Sequence, residues 1–391
     1  MGDDYDDWGH PTKPRYRPRD QSVKGVLRSW YYLIRRKYQT LTATILIGLC
    51  LFWYLNTEGE PKPAPVDWKR FAYVQYVTDN HNLCNAYMVF EALHRYKSKA
   101  DRILLYPQEW DLEDDSEQDR NSQLLIRAKK YWNVKLHPVA LLDTDGKASP
   151  GTLNAPSSWS TSITKLRAFE LYQYDRVLHM DSDITLLQHM DDLFLAPSAA
   201  VAMPRAYWSD TKPSEWPLTS LLMLIEPNPL EMKNFIDILM SWKLKPGFQI
   251  GRNYDMDLLN HRFGASAMVL PHRAYAMLSA EFRQKDHSAY LGTINGPRER
   301  MSKLTWDPDH AYQEAKLIHF SDWPLPKPWI MWPHEGLAEM QPDCDGSKLG
   351  CREREIWKGL YSDFRKRRKD LCRILSVPAP KWSDLKNQTA S

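Results

Sequence analysis

Asp175-Arg-Val-Leu-His-Met-Asp-Ser-Asp-Ile-Thr-Leu-Leu187 is a short apolar run that delivers two carboxylates, Asp181 and Asp183, at its end. The segment 176–180 has the character of a buried strand, and the polar triplet after it marks where the chain leaves the sheet. Side chains of an extended chain alternate with period two, so Asp181 and Asp183 project to the same side. In open α/β sheets ligands bind beyond the carboxyl ends of the strands. Two hard oxygen donors at that place suit Mn²⁺ or Mg²⁺, and such an ion neutralises a diphosphate. An isolated Asp-x-Asp arises by chance in long chains, so the surroundings must decide its meaning.

Outward from this stretch the chain alternates strand-like and helix-like segments, the pattern of an α/β domain. Upstream, strands are expected over 71–77, 102–106 and 134–142, and helices over 82–96, 124–132 and 162–172. The first helix carries Leu83, Tyr87, Phe90 and Leu93 at helical spacing. Loops are expected over 111–122 and 143–160. Downstream, strands are expected over 199–203, 221–225 and 267–270, with helices over 232–242 and 256–263. A basic amphipathic helix over 353–375 presents Trp357, Leu360 and Phe364 on one face and reads as a packing appendage. The expectation is one domain over 69–335 followed by a helical appendage over 336–391.

With 391 residues, 43% of them hydrophobic, the chain can bury a large core. A net charge of +3 gives no reason to expect a nucleic-acid partner. Residues 40–55 carry no charge and would span about 24 Å as a helix. Arg35, Arg36 and Lys37 precede them, and Glu58 and Glu60 follow. The positive-inside rule then predicts a single-pass type II signal-anchor over 38–55, with a cytosolic tail over 1–37 and a stem over 56–68. Everything beyond would face an oxidising lumen. There Cys344 and Cys351 are close enough for a local disulfide, Cys372 competes for either, and Cys84 is also available. The absence of a CxxC pair and of a nearby histidine cluster argues against zinc. The acceptor sequon Asn387-Gln-Thr389 is compatible with the lumen.

Two resemblances compete for the central motif. Asp181-Ser-Asp-Ile-Thr185 is similar to the nucleophile motif of haloacid-dehalogenase-type phosphatases, which implies Asp181 as nucleophile and Asp183 as acid/base. That family begins with the motif and continues to a Gly-Asp-x-x-x-Asp, whereas here several strand-helix units come first and no such motif follows. The other set is Ile163-Thr-Lys-Leu-Arg167, the central stretch, Met190-Asp-Asp-Leu-Phe194, Leu317-Ile-His-Phe320 and Pro326-Lys-Pro-Trp329. In this order they resemble the family-8 retaining, glycogenin-like glycosyltransferases. The stretch from Tyr76 to Glu91 and Tyr254-Asp-Met-Asp-Leu258 look most like the fungal Golgi N-acetylglucosaminyltransferase (glucose N-acetyltransferase) family.

The resemblance implies a GT-A type domain with a mixed, Rossmann-like sheet. It also implies Mn²⁺ on Asp181, Asp183 and His319, and Lys327 on the donor diphosphate. Tyr76, Thr78 and Asp79 would contact uracil and ribose, with Ser182 against the ribose. Lys165 would lie near the donor sugar, and Asp255 near the anomeric carbon as electrostatic stabiliser or nucleophile. The implied reaction moves N-acetylglucosamine from a UDP-sugar to a mannose-containing glycan, with retention, in the Golgi. Bland readings stand beside these: His319 as a core histidine, Lys165 as a solvated helix charge, Asp255 as a helix cap. A glycogenin-like enzyme with another donor sugar and a non-catalytic glycan-binding protein also stand. Thr219-Ser220-Leu221, Asp255-Met256-Asp257 and the long segment between His319 and Lys327 depart from the glycogenin-like pattern.

Overall fold

The computed structural model describes residues 23–56, 65–110, 119–142, 148–149, 161–244, 254–292, 305–344 and 351–387. The sequon beyond residue 387, most of the stem and most of the two expected loops lie outside them. The chain divides into Met1–Val66 and Asp67–Ser391. In the first unit, helix α1 (Val23–Asn56) covers the expected anchor. No helix among the described residues is long and apolar enough to cross a membrane, so the transmembrane reading of 38–55 is not supported. Thr40, Thr42, Thr44 and Gly48 dilute the apolar run, and Arg35, Arg36 and Lys37 cut it short on one side.

The second unit is built on a seven-stranded sheet in the order β10-β8-β9-β6-β1-β2-β3. The strands are β1 (Phe71–Tyr76), β2 (Asp101–Pro107), β3 (Val134–Val139), β6 (Arg176–Met180), β8 (Val201–Pro204), β9 (Leu222–Ile225) and β10 (Met268–Leu270). Strands β6, β1, β2 and β3 run parallel, and β9 is antiparallel to both β6 and β8, so the sheet is mixed as expected. Alternation along each strand feeds two cores. Tyr73, Leu104 and Leu178 face α2 (Asn80–Arg95) and α3 (Arg120–Trp132). Val74, Ile103 and Val177 face a 3₁₀ helix, Ser162–Glu170, together with α4 (Pro229–Lys243) and α5 (Asp255–Phe263).

Two differences from expectation stand out. The segment expected as one strand over 134–142 breaks after Val139 into a separate β4 (Leu141–Leu142), which pairs with β5 (Ala148–Ser149). The break is held by Thr164, whose Oγ1 accepts the Leu142 N–H at 2.9 Å. A second sheet, invisible in the sequence, joins β11 (Met277–Leu278), β12 (Leu317–His319) and β7 (Ile184–Leu186). Its strands are two or three residues long, too short for a periodic pattern.

The C-terminal helix Arg352–Cys372 packs through the apolar face that its amphipathic pattern predicts, with Trp357, Leu360 and Phe364 all buried. It buries Ile356, Trp357, Leu360, Tyr361 and Phe364 in the same core as α2, and the Cys84–Cys372 disulfide fastens it there. The local Cys344–Cys351 bridge forms as well, and Cys372 competes for neither of its ends.

Candidate active site

Asp181 follows β6 at the carboxyl end of the parallel strands, and Asp183 precedes β7, so the triplet bridges the two sheets. Asp181 continues the series Val177, His179 toward the second core, where Lys165 and Asp255 wait. The backbone is pinned there: the Asp181 N–H donates to the Leu221 carbonyl at 2.9 Å, and Gln75 Nε2 holds the Met180 carbonyl at 2.7 Å. Antiparallel pairing of β12 with β7 sets His319 opposite Ile184, one residue from Asp183. The His319 Nε2 atom then lies 3.2 Å from Asp183 Oδ1. Ligand atoms of Asp181, Asp183 and His319 all fall within 4.8 Å of one another. Two carboxylate oxygens and one imidazole nitrogen form a donor set that could hold one divalent cation.

Each carboxylate of this group has its own lysine. Lys327 Nζ sits 2.7 Å from Asp183 Oδ2 and donates to the Phe320 carbonyl at 2.8 Å. Burial raises the Asp183 carboxyl, but Lys327 and His319 together outweigh it and hold the group well below the usual range. Lys165 Nζ is 2.8 Å from Asp181 Oδ1 and 2.9 Å from Asp255 Oδ2. It is only 4% exposed, which rules out the solvated-charge reading. Burial disfavours its charge, yet Asp181 and Asp255 outweigh that and raise its basicity well above the ordinary value.

Asp255 is not a cap. Tyr254 is the N-cap of α5, and Asp257 takes the capping role by accepting the Tyr254 N–H at 2.8 Å. That leaves the Asp255 carboxylate to receive Lys165 and the Ser220 hydroxyl. Burial raises its pKa, while Lys165 and Ser220 bring the balance below the usual value, so it stays ionised. Ser220, which the sequence marks only as a departure, is thus a working member of the site.

Toward the other end, Tyr76 closes β1 with its ring 5.6 Å from Lys165 Nζ, and Thr78 leads into α2. Asp79 caps α2, with Oδ1 accepting the Asn82 N–H and Oδ2 the Asn82 amide, both at 2.8 Å. Ser182 Oγ lies 3.5 Å from Asn82 Oδ1, which joins the triplet to the start of α2. The structure therefore gathers Tyr76, Lys165, Asp181, Asp183, Asp255, His319 and Lys327 at one end of the sheet, with Thr78, Asp79 and Ser182 beside them.

Removing Lys165 tests this charge network. In Lys165→Ala the buried Asp255 and the part-buried Asp181 lose their shared partner, and the chain should lose about 3–5 kcal/mol of stability by chemical denaturation. Added Mn²⁺ should restore part of it by neutralising Asp181. A variant whose stability does not respond to Mn²⁺ would contradict the metal role of Asp181.

No family model matches the chain. Glucose N-acetyltransferase 1 of Aspergillus fumigatus is 44% identical over 358 residues, covering 88% of this chain and 89% of that protein. The protein of the same name from Gibberella zeae is 47% identical over 321 residues, covering 81% of this chain and 66% of its own length. The Saccharomyces cerevisiae protein of that name is 21% identical over 421 residues, covering 79% and 82%. Among solved structures, the galactosyltransferase LgtC with donor and acceptor sugar analogues is similar at a TM-score of 0.45 and 15% identity, covering 75% of this chain and 95% of that one. The bifunctional glycosyltransferase WbbM is similar at 0.46 and 13%, with 85% of this chain and about half of WbbM, 53%, covered. The extent and level of identity to the Aspergillus protein establish that the chain belongs to the glucose N-acetyltransferase 1 family and is a glycosyltransferase.

Proposed function

We propose that this enzyme transfers N-acetylglucosamine from a UDP donor to a mannose-containing glycan, with Mn²⁺ assistance and retention at the anomeric carbon, on a GT-A type domain. The observation that carries the reading is the Asp181–Asp183–His319 cluster with Lys165 and Lys327 each paired to one of its carboxylates. The names of the relatives and the segment Tyr254–Leu258 support the donor sugar.

Asp181, Asp183 and His319 would hold the ion, which when bound neutralises the departing diphosphate. Lys327, half-turned to solvent, binds a diphosphate oxygen and stabilises the charge that develops there. Tyr76, Thr78, Asp79 and Ser182 receive the nucleoside. Asp255, kept ionised by Lys165 and Ser220, stabilises positive charge growing on the anomeric carbon. Two disulfides support an oxidising, Golgi-luminal location for the catalytic unit. Attachment to the membrane near the N-terminus is part of this reading on the sequence alone, from the uncharged run 40–55 and the basic residues Arg35, Arg36 and Lys37 before it.

The test is incubation of the full chain with Mn²⁺ and a panel of nucleotide sugars, with and without mannosides, following UDP release and the anomeric configuration of the product. Mannoside-stimulated turnover of UDP-N-acetylglucosamine with retained configuration is expected. An inverted product, or turnover indifferent to metal chelation, would overturn the mechanism. Phosphate release from simple esters would favour the phosphatase instead.

A further inference from the structure

The segment joining His319 to Lys327, Phe320-Ser-Asp-Trp-Pro-Leu-Pro326, carries one acidic residue, and that residue is buried. Asp322 is 3% exposed. Its Oδ1 accepts from Arg283 Nε at 2.6 Å and from Trp357 Nε1 at 2.9 Å. Its Oδ2 accepts from the hydroxyls of Ser279 and Tyr361. A buried carboxylate is costly unless its lone pairs are used in this way. Hydrogen bonds to an ionised acceptor are also stronger and more directional than neutral ones.

These partners tie the middle of the segment to the C-terminal helix, which supplies Trp357 and Tyr361. Further contacts fix its path. Ser279 Oγ also accepts the Ser321 N–H at 3.1 Å, and the Leu325 N–H closes a turn onto the Asp322 carbonyl at 2.8 Å. The Phe320 ring lies 4.9 Å from Tyr361 and 5.0 Å from Phe364, centroid to centroid. The ends of the same segment touch the site. The Phe320 N–H donates to the Asp183 carbonyl at 2.9 Å, and the Phe320 carbonyl receives Lys327.

We infer that Asp322 is a positioning residue: by seating segment 320–326 on the C-terminal helix, it fixes His319 and Lys327 relative to Asp183. The helix is thereby part of the metal–diphosphate machinery at one remove. Apolar side chains would fill the same space and cost less desolvation. What a four-donor carboxylate adds is a single register for the segment, which a metal ligand and a phosphate-binding lysine eight residues apart require. The inference rests on the proposed metal and diphosphate roles, and its test keeps the two separable.

Tyr361→Phe removes one donor with little change of shape, and Asp322→Asn removes the charge. In the full chain, Mn²⁺-dependent UDP binding is measured by calorimetry, beside uridine binding and thermal unfolding. Tyr361→Phe should weaken Mn²⁺-dependent UDP binding about 10-fold and Asp322→Asn about 100-fold, the range seen for residues that orient metal ligands. Uridine binding should be unchanged, because Tyr76, Thr78 and Asp79 lie outside the segment. A lowered unfolding temperature with unchanged UDP–Mn²⁺ affinity would make Asp322 a stability residue only. Uridine binding weakened in step would mean general distortion, and either result overturns the inference. Should Asp322→Asn fail to fold, Tyr361→Phe decides alone. The unmutated chain and His319→Ala report on the site itself. If the unmutated chain shows no Mn²⁺-dependent UDP binding, or His319→Ala retains it, the metal reading falls and this inference falls with it.

Discussion

Asp183→Ala is expected to lower kcat/KM for sugar transfer by about 10³-fold or more, even at high Mn²⁺. Asp183 serves two partners with its two oxygens. Its Oδ1 faces His319 at 3.2 Å and its Oδ2 receives Lys327 at 2.7 Å, and the residue belongs to the cluster proposed to hold the ion. Alanine deletes a proposed ligand and leaves Lys327 with only the Phe320 carbonyl to hold it, so extra metal cannot restore the geometry. The fold should survive, because the backbone contact at this position, Asp183 carbonyl to Phe320 N–H, does not involve the side chain. Circular dichroism and thermal unfolding close to the parent, with transfer abolished, is the expected pair of results. Activity within an order of magnitude of the parent would remove Asp183 from the metal site.

The contrast between Asp183 and its partners shows what a sequence makes legible. Asp181 and Asp183 stand out because an apolar strand ends on them, and β6 falls where its pattern predicts, Arg176–Met180. Lys165, His319 and Lys327 lie 16, 136 and 144 residues from the carboxylates they meet, too far for any periodic pattern, so only ordered motifs point to them. His319 arrives through the pairing of β12 with β7, strands of three residues each, which leave no periodic trace. The role of Asp255 turns on a competition that the string Tyr254-Asp-Met-Asp257 leaves open. Either acid suits a helix start, and Asp257 wins the cap because Asp255 has Lys165 and Ser220 to bind. Asp322 is less legible still. Its donors Ser279, Arg283, Trp357 and Tyr361 come from two distant segments, and nothing local marks an aspartate in a Pro-rich stretch as buried. The C-terminal helix was readable as amphipathic, but its basic residues hid how deep it sits. Arg368 is fully buried, donating to the His81 carbonyl and to Asn85 Oδ1 on α2.

Joint replacement of Cys84 and Cys372 by alanine is expected to cost about 4–5 kcal/mol of stability, whereas the same change at Cys344 and Cys351 should cost about 2 kcal/mol. The difference follows from the chain each bridge closes. Cys84–Cys372 spans 288 residues, nearly the whole catalytic unit, and Cys344–Cys351 spans seven. Constraint of the unfolded chain grows with the logarithm of that length, so the long bridge removes far more disorder from the competing state. Other contacts hold the same helix to α2: Arg367 to Glu91 and to the Met88 carbonyl, and Arg368 to His81 and Asn85. The native arrangement should therefore persist without the long bridge, and the loss should appear as a lower denaturation midpoint with the native signal intact. Mn²⁺-dependent UDP binding supplies the second reading. If the helix positions His319 and Lys327 through Asp322, losing the long bridge should weaken that binding well below the unfolding transition, and losing the short one should not. Equal effects of the two bridges on UDP binding would show that the helix holds its place through side-chain contacts alone. The bridge would then protect the fold without tuning the site.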